Sequence, residues 1–217
     1  RGLGDVYKRQ GQMSDEISVI LPDIVIDATH PYATQVTHNI KEACDSRHIF
    51  YVRVLREENI EKAGNNADNI IYTETMKDAV RLLNEDRYIH KNVLMTTGSK
   101  NIPEYVHIKD FKERLYLRLL PNPQMMESAI QAGIMLAHLI GMQGPFSQEL
   151  NEAVIRQFNI GVLVTKESGN NGGYEEKISA TLNTGTDCIV IRRPLENGGK
   201  NLSEIIAYLE ENIDSQC

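Results

Sequence analysis

The sequence predicts an α/β protein built on parallel β-sheets, and two observations carry that prediction. From Asp23 onward, short apolar runs rich in β-branched residues alternate with longer amphipathic stretches, the pattern of strands joined by covering helices. In the second half, nearly every predicted strand runs into glycine, proline or a polar cluster, which is where an open parallel sheet carries its ligand-binding loops.

The elements follow in order. A first strand is predicted at 24–28, and Pro31 suits the opening of a helix over 32–46. Val36, Ile40, Ala43 and Cys44 share one face of that helix. Strands at 50–55 and 70–73 come next, then a helix over 75–85. The polar stretch 85–92 precedes a fresh strand and places a domain boundary near Tyr88. Beyond it come strands at 93–97 and 115–120, a helix over 124–132 and a weaker strand at 137–142. A helix over 147–158 has Ser147 as its N-cap, with Glu149 and Glu152 in its first turns. A strand at 161–165, a helix over 175–184, a strand at 188–191 and a helix over 203–212 complete the chain. Residues 11–88 thus make an N-terminal domain with three strands, too few for a self-standing doubly wound sheet, and residues 89–217 make a second. Residues 1–10 carry neither helical nor strand periodicity and read as a leader foreign to the fold.

With 41% hydrophobic and 24% charged residues, the 217-residue chain has the composition of a soluble protein able to bury a sizeable core. Its formal net charge of −7 argues against a nucleic-acid partner, because a phosphate backbone calls for a basic stripe. Cys44, Cys188 and Cys217 are widely spaced without metal-ligand spacing, and read as reduced cytoplasmic thiols. No apolar run reaches the roughly 20 residues that span a bilayer, so no membrane association is expected.

The polar motifs sit at strand ends: Gly98-Ser99-Lys100, Arg118 before Pro121, Gln143-Gly144-Pro145-Phe146-Ser147, Thr165-Lys166-Glu167-Ser168-Gly169 with Gly172 and Gly173, and Arg192-Arg193-Pro194. Parallel strands would gather them on one rim, where glycines let backbone amides approach an anionic ligand and the basic residues supply local charge. Each motif also has a plainer reading. Gly98-Ser99 alone is what a βα turn requires, whereas a lysine, a serine and three glycines after the 161–165 strand exceed what a turn needs. Arg192-Arg193 reads equally as a solvated strand end. In the first half, His30 stands at the mouth of a strand beside Asp27, Thr29 and Tyr32, as a ligand contact or a structural hydrogen-bonder. His38, His48, His90, His107 and His138 lack such a context and are assigned structural roles. Arg53 and Arg56 read as surface charges or carboxylate clamps. No P-loop pattern is present, which weakens a triphosphate-dependent ligase or kinase.

Taken together, Val25-Ile26-Asp27-Ala28-Thr29-His30-Pro31-Tyr32-Ala33, Thr96-Thr97-Gly98-Ser99-Lys100, Arg118-Leu119-Leu120-Pro121, Met142-Gln143-Gly144-Pro145-Phe146-Ser147, the segment from Thr165 to Gly169, Glu176-Lys177 and Arg192-Arg193-Pro194 resemble the precorrin-6A reductase family, in family order. The resemblance implies two Rossmann-like domains with the active site between them. It also implies reduction of a ring double bond of precorrin-6A or cobalt-precorrin-6A by NADPH in corrin biosynthesis. Such chemistry belongs mostly to the cofactor, so a catalytic triad or metal motif is not expected. On this reading Gly98, Ser99, Thr165, Lys166, Ser168, Gly169 and Gly172 hold the cofactor. His30, Tyr32, Arg53, Lys100, Arg118, Gln143, Gly144, Arg192 and Arg193 hold the polycarboxylated tetrapyrrole. The sequence departs from the family before Ile17, where the opening strand and glycine-rich turn are expected, so the first domain is read as incomplete. Abundant Asn, Ile and Lys with no Trp suggest an AT-rich genome and lean toward the cobalt form. Transient contacts with other corrin-pathway enzymes would follow. The rival class is a non-catalytic nucleotide- or tetrapyrrole-binding module.

Overall fold

The computed structural model describes residues 17, 19–55, 68–167, 173–194 and 198–213. The chain divides into two compact units, Arg1–Glu58 with Pro194–Cys217, and Asn59–Arg193. This corrects the boundary expected near Tyr88. The strand at Ile70–Thr73 is hydrogen-bonded into the second unit's sheet, and the C-terminal segment returns to the first unit.

In the first unit, β1 (Ile24–Asp27) and β2 (Phe50–Arg53) pair in parallel, with Asp27 opposite Arg53. The helix between them, α1 (Thr34–Asp45), buries Asn39, Ile40, Ala43 and Cys44. Ile17, Val25, Val36, Ile49 and Tyr51 complete this small core. The helix starts later than Pro31 suggested, because the Ala33 N–H turns back onto the His30 carbonyl at 2.7 Å. Beyond β2, Val54 forms a parallel bridge with Lys200, just ahead of a closing helix, Leu202–Ile213.

A buried polar network ties β1 to β2. The Arg53 guanidinium lies 2.9 Å from Asp27 Oδ1, and these residues are 7% and 2% exposed. Tyr51 Oη donates to Asp27 Oδ2 at 2.8 Å, and the Thr29 N–H donates to Oδ1 at 2.9 Å. Arg53 also donates to Thr29 Oγ1 at 2.9 Å. Burial alone would raise the Asp27 pKa, but the hydrogen bonds from Thr29 and Tyr51 and the Arg53 charge outweigh it and hold the carboxyl below its ordinary value.

The second unit is a doubly wound sheet. In chain order it contains β3 (Ile70–Thr73), α2 (Met76–Leu83), β4 (Asn92–Met95), a 3-10 turn (Ser99–Asn101), α3 (Ile102–Tyr105), α4 (Phe111–Arg114), β5 (Leu115–Leu119) and α5 (Pro123–Gln131). A second 3-10 turn (Leu136–His138), β6 (Leu139–Gly141), α6 (Gln148–Gln157), β7 (Ile160–Lys166), α7 (Tyr174–Thr184) and β8 (Asp187–Ile191) follow. The sheet order is β3-β8-β7-β4-β5-β6, and every neighbouring pair is parallel. The strand at 137–142 is shorter than expected because Leu136–His138 closes into a 3-10 turn. The four-residue helices α3 and α4 are too short to register as periodicity.

Alternating side chains explain the two layers. Val93, Met95, Leu115, Leu117, Val162, Val164, Ile189 and Ile191 face a core shared with Met76, Tyr105 and Ala129 from α2, α3 and α5. Their neighbours Leu94, Leu163, Cys188 and Val190 face Val154, Ile155, Tyr174 and Ile178 from α6 and α7. Both sheet faces are thus apolar, as near-continuous strand hydrophobicity requires. No helix among the described residues is long and apolar enough to cross a membrane.

Buried Arg114, at the end of α4, holds one corner of this unit. Its guanidinium donates to the carbonyls of Leu83 at 2.8 Å, Tyr88 at 3.0 Å, Lys91 at 3.0 Å and Lys109 at 2.7 Å. Replacing it by methionine removes the guanidinium bonds to four carbonyls, and Arg114→Met is expected to cost at least ~3 kcal/mol, since each bond to a charged donor contributes about 1.5–3. A urea midpoint within error of wild type would show that water replaces the guanidinium.

The Asp27 network sets a pH dependence. Because the folded pKa is depressed, its stabilisation is complete above the unfolded value near 3.8 and is lost as pH falls through the folded value. Asp27→Asn removes the carboxylate that Arg53 faces across the two strands, at a cost of about 3 kcal/mol at neutral pH. The variant should also lose this acid-limb contribution. Denaturant midpoints between about pH 2 and 7 check both, and parallel curves for variant and wild type would refute the assignment.

Candidate functional site

Six parallel strands place all their carboxyl ends along one edge of the second unit's sheet. The chain steps outward from β4 to β5 to β6, then crosses to β7 on the opposite side of β4 and continues to β8. Its direction therefore reverses between β4 and β7, and in open α/β sheets the loops diverging at such a point leave a crevice for ligand.

Gly98, Ser99 and Lys100 follow β4, and Thr165 and Lys166 end β7. Gly98 adopts φ +81, the left-handed region that favours glycine, and nothing lies within 4 Å of where a Cβ would stand, so its backbone is open to approach. Its carbonyl accepts from Tyr105 Oη at 2.7 Å, and Thr97 Oγ1 lies 2.6 Å from the same phenol. The loop is thereby pinned to α3. Burial lowers the Lys166 pKa, and the charge of Lys100 lowers it further. Two cations thus lie near each other beyond the ends of β4 and β7. Thr165 is fully buried, and its hydroxyl donates to the Lys166 carbonyl at 3.3 Å, which makes it a support for the lysine. Ser168, Gly169 and Gly172 lie outside the described residues.

On the other side of β4 a cavity of about 330 Å³ is lined by Thr96, Gly98, Arg118, Leu119, Leu120, Met142, Gly144, Pro145, Phe146 and Lys177. Arg118, on β5, is 5% exposed and donates to Asn151 Oδ1 at 2.8 Å, while its guanidinium lies 4.2 Å from the Phe146 ring centroid. Asn151 is itself held by a 2.8 Å bond from its Nδ2 to the Ser147 carbonyl. Ser147 caps α6 as predicted, accepting from the Leu150 N–H at 3.3 Å. Burial lowers the Arg118 pKa to about 10, leaving it a cation at neutral pH. Gly144 is needed beside Phe146, since a Cβ there would come 3.0 Å from the ring. Gln143 is exposed next to it.

Lys177 is the site residue that the sequence-based selection passed over. It lies on α7, is 7% exposed, and has its pKa lowered to about 8 by burial first and Arg118 second. Its signal was positional: Tyr174, Lys177, Ile178 and Thr181 recur at one helical face, and all four are buried.

Other predicted residues lie elsewhere. Arg192 is a half-exposed partner of Glu74, 3.1 Å away, with Tyr72 beneath it at 5.2 Å, and does not line the cavity. Arg193 follows β8, where its backbone N–H donates to Glu167 Oε2 at 3.1 Å. These contacts correct the expectation that both arginines join Arg118 around one pocket: β8 and β5 are separated by β7 and β4. In the first unit, His30 is exposed and stacks on Tyr32 with centroids 5.5 Å apart. Its Nδ1 accepts from the Tyr32 N–H at 3.3 Å. Arg53 is engaged by Asp27, which corrects its role as a free carboxylate clamp. A groove of about 800 Å³ in this unit, lined by α1, β2 and the segment Gly198-Gly199-Lys200, includes Arg53, but there the guanidinium charge is already balanced. Arg56 lies outside the described residues. Among the described residues, no group of three or more His, Cys, Asp and Glu is placed to hold a metal ion.

A cobalt-precorrin-6A reductase of Methanothermobacter thermautotrophicus is 33% identical over 188 residues, covering 85% of this chain and 60% of the relative. One of Salmonella typhimurium is 34% identical over 189 residues, covering 86% and 69%. The chain thus spans less than two thirds of the archaeal relative's length. A solved structure titled CobK precorrin-6A reductase superposes with a TM-score of 0.72 at 23% identity, covering 97% of this chain and 80% of that one, and shares its fold. The profile of the family described as Precorrin-6x reductase CbiJ/CobK matches residues 7–210, beginning inside the stretch read above as a leader. The chain belongs to the precorrin-6x reductase family.

Proposed function

We propose that this chain reduces a ring double bond of a precorrin-6A-type tetrapyrrole with NADPH, in the cytoplasm, and that the cobalt-bearing form is its substrate. Family membership supports the reaction class, and the relatives named above support the cobalt form. The observation that supports the reading is the reversal of strand order at β4 and β7, the neighbouring strands that Gly98, Ser99 and Lys100 follow and that Lys166 ends.

These residues fit an anionic nucleotide. The open Gly98 backbone admits close approach, and Lys100 and Lys166 bring positive charge that a phosphate would meet. NADPH, when bound, supplies the hydride. The chain's own part is to orient and neutralise, with Gln143, Gly144 and Arg118 on the tetrapyrrole side. Transient hand-over between pathway enzymes follows from a substrate made and consumed by neighbouring steps.

Two measurements test this. The chain mixed with NADPH should consume its absorbance when cobalt-precorrin-6A is added, and more slowly with the metal-free compound. Binding of NADPH and tetrapyrrole without oxidation would instead favour a silent binding module. Lys166→Ala should raise the KM for NADPH roughly tenfold, the loss of about 1.4 kcal/mol of phosphate binding, with kcat little changed. Unaltered kinetics would remove Lys166 from the cofactor site.

A further inference from the structure

We propose that the outer edge of β6 is an interface at which a second copy of this chain pairs, the two β6 strands running antiparallel across a two-fold axis.

The larger sheet ends in β3 on one side and β6 on the other, and among the described residues neither has a strand on its outer side. Unpaired strand edges invite association, and proteins ordinarily blunt them with charged side chains, proline or a covering element. The β3 edge has such protection: exposed Glu74 directly follows the strand, and its carboxylate lies 3.1 Å from the exposed guanidinium of Arg192. At β6 the pattern is different. The strand itself, Leu139-Ile140-Gly141, carries neither charge nor proline, and from Ser128 to Gln148 the chain holds no aspartate, glutamate, lysine or arginine. His138, the one residue of that stretch able to take up a proton, is buried against the Tyr116 ring with centroids 4.1 Å apart. Around the edge, Ile130 is 46% exposed, Met135 43% and Leu136 65%.

Charge and symmetry identify the occupant. The chain's formal net charge is −7, so two copies repel each other unless they meet on uncharged surface, which this stretch supplies. A strongly charged partner would find nothing complementary here. An isologous contact needs an edge that complements itself, and a two-fold axis perpendicular to the sheet turns β6 antiparallel to its copy, so outward N–H and C=O groups of one strand face those of the other. With three residues in the strand, main-chain pairing is brief and the apolar side chains around it supply most of the contact. Such a small interface gives a dimer that dissociates on dilution.

Sedimentation of the full chain over a concentration series, with hydrogen exchange read at its two ends, supplies the test. The expected result is a reversible monomer–dimer equilibrium, with amide exchange in Leu139–Gly141 slowed as the dimer forms. Leu136→Lys alters an exposed position and spares the core. It should weaken association about a hundredfold, because the two-fold brings the new charge to the interface twice. Leu202→Lys, at a similarly exposed leucine of the first unit, should leave association unchanged. A chain that sediments as a monomer at every concentration overturns the proposal, as does a dimer that Leu136→Lys leaves intact. Protection of the β6 amides that appears only on adding an unrelated extended apolar peptide assigns the edge to a different partner and overturns the second-copy assignment. No turnover is measured, so these outcomes are independent of whether the chain proves to be a reductase.

Discussion

The arrangement of the second unit depends on the parallel pairing of β4 with both β5 and β7. Parallel registry gives every strand of the sheet the same direction, so the residues following each strand share one edge. The crossover from β6 back to β7 then makes β4 the place where the chain reverses its progress across the sheet. A helix packs against one face after β4 and against the other after β7, which is why apolar layers form on both sides of the sheet and the loops diverge there. Without that crossover the same glycines and lysines would be ordinary βα turns.

Charge placement turns this architecture into a site. Burying a cation is unfavourable, and two pairs of cations lie near each other at this edge, Lys100 with Lys166 and Arg118 with Lys177. The lowered lysine pKa values express that cost: burial dominates both shifts and the neighbouring cation adds to each. These cations stand out locally against a chain whose formal net charge is −7.

Much of this was legible in the sequence, and for identifiable reasons. Short apolar runs rich in β-branched residues located the eight strands of the described residues, six of them in a sheet with both faces buried, where each strand must be apolar throughout. Ser147 declared its cap because a serine ahead of an amphipathic stretch with early glutamates has few other uses. The domain boundary was not legible, since which sheet β3 joins is decided by pairing with β8, more than a hundred residues away, and no local composition reports it. Lys177 was missed for a related reason. A lysine in a helix is usually solvated, and only the position of α7 against the sheet turns that face inward.

Arg53 and Arg118 show most clearly what sequence leaves open. Each is an arginine on a predicted strand near its carboxyl end, each is nearly fully buried, and both were read as clamps for a carboxylate. Arg53 is answered by the carboxylate of Asp27, directly opposite in the parallel register, and its charge is spent on joining β1 to β2. Arg118 meets an amide on α6, which supplies hydrogen-bond geometry but no charge. The difference between aspartate and asparagine at the partner position decides whether a buried guanidinium closes an internal network or faces a cavity with its attraction for an anion intact.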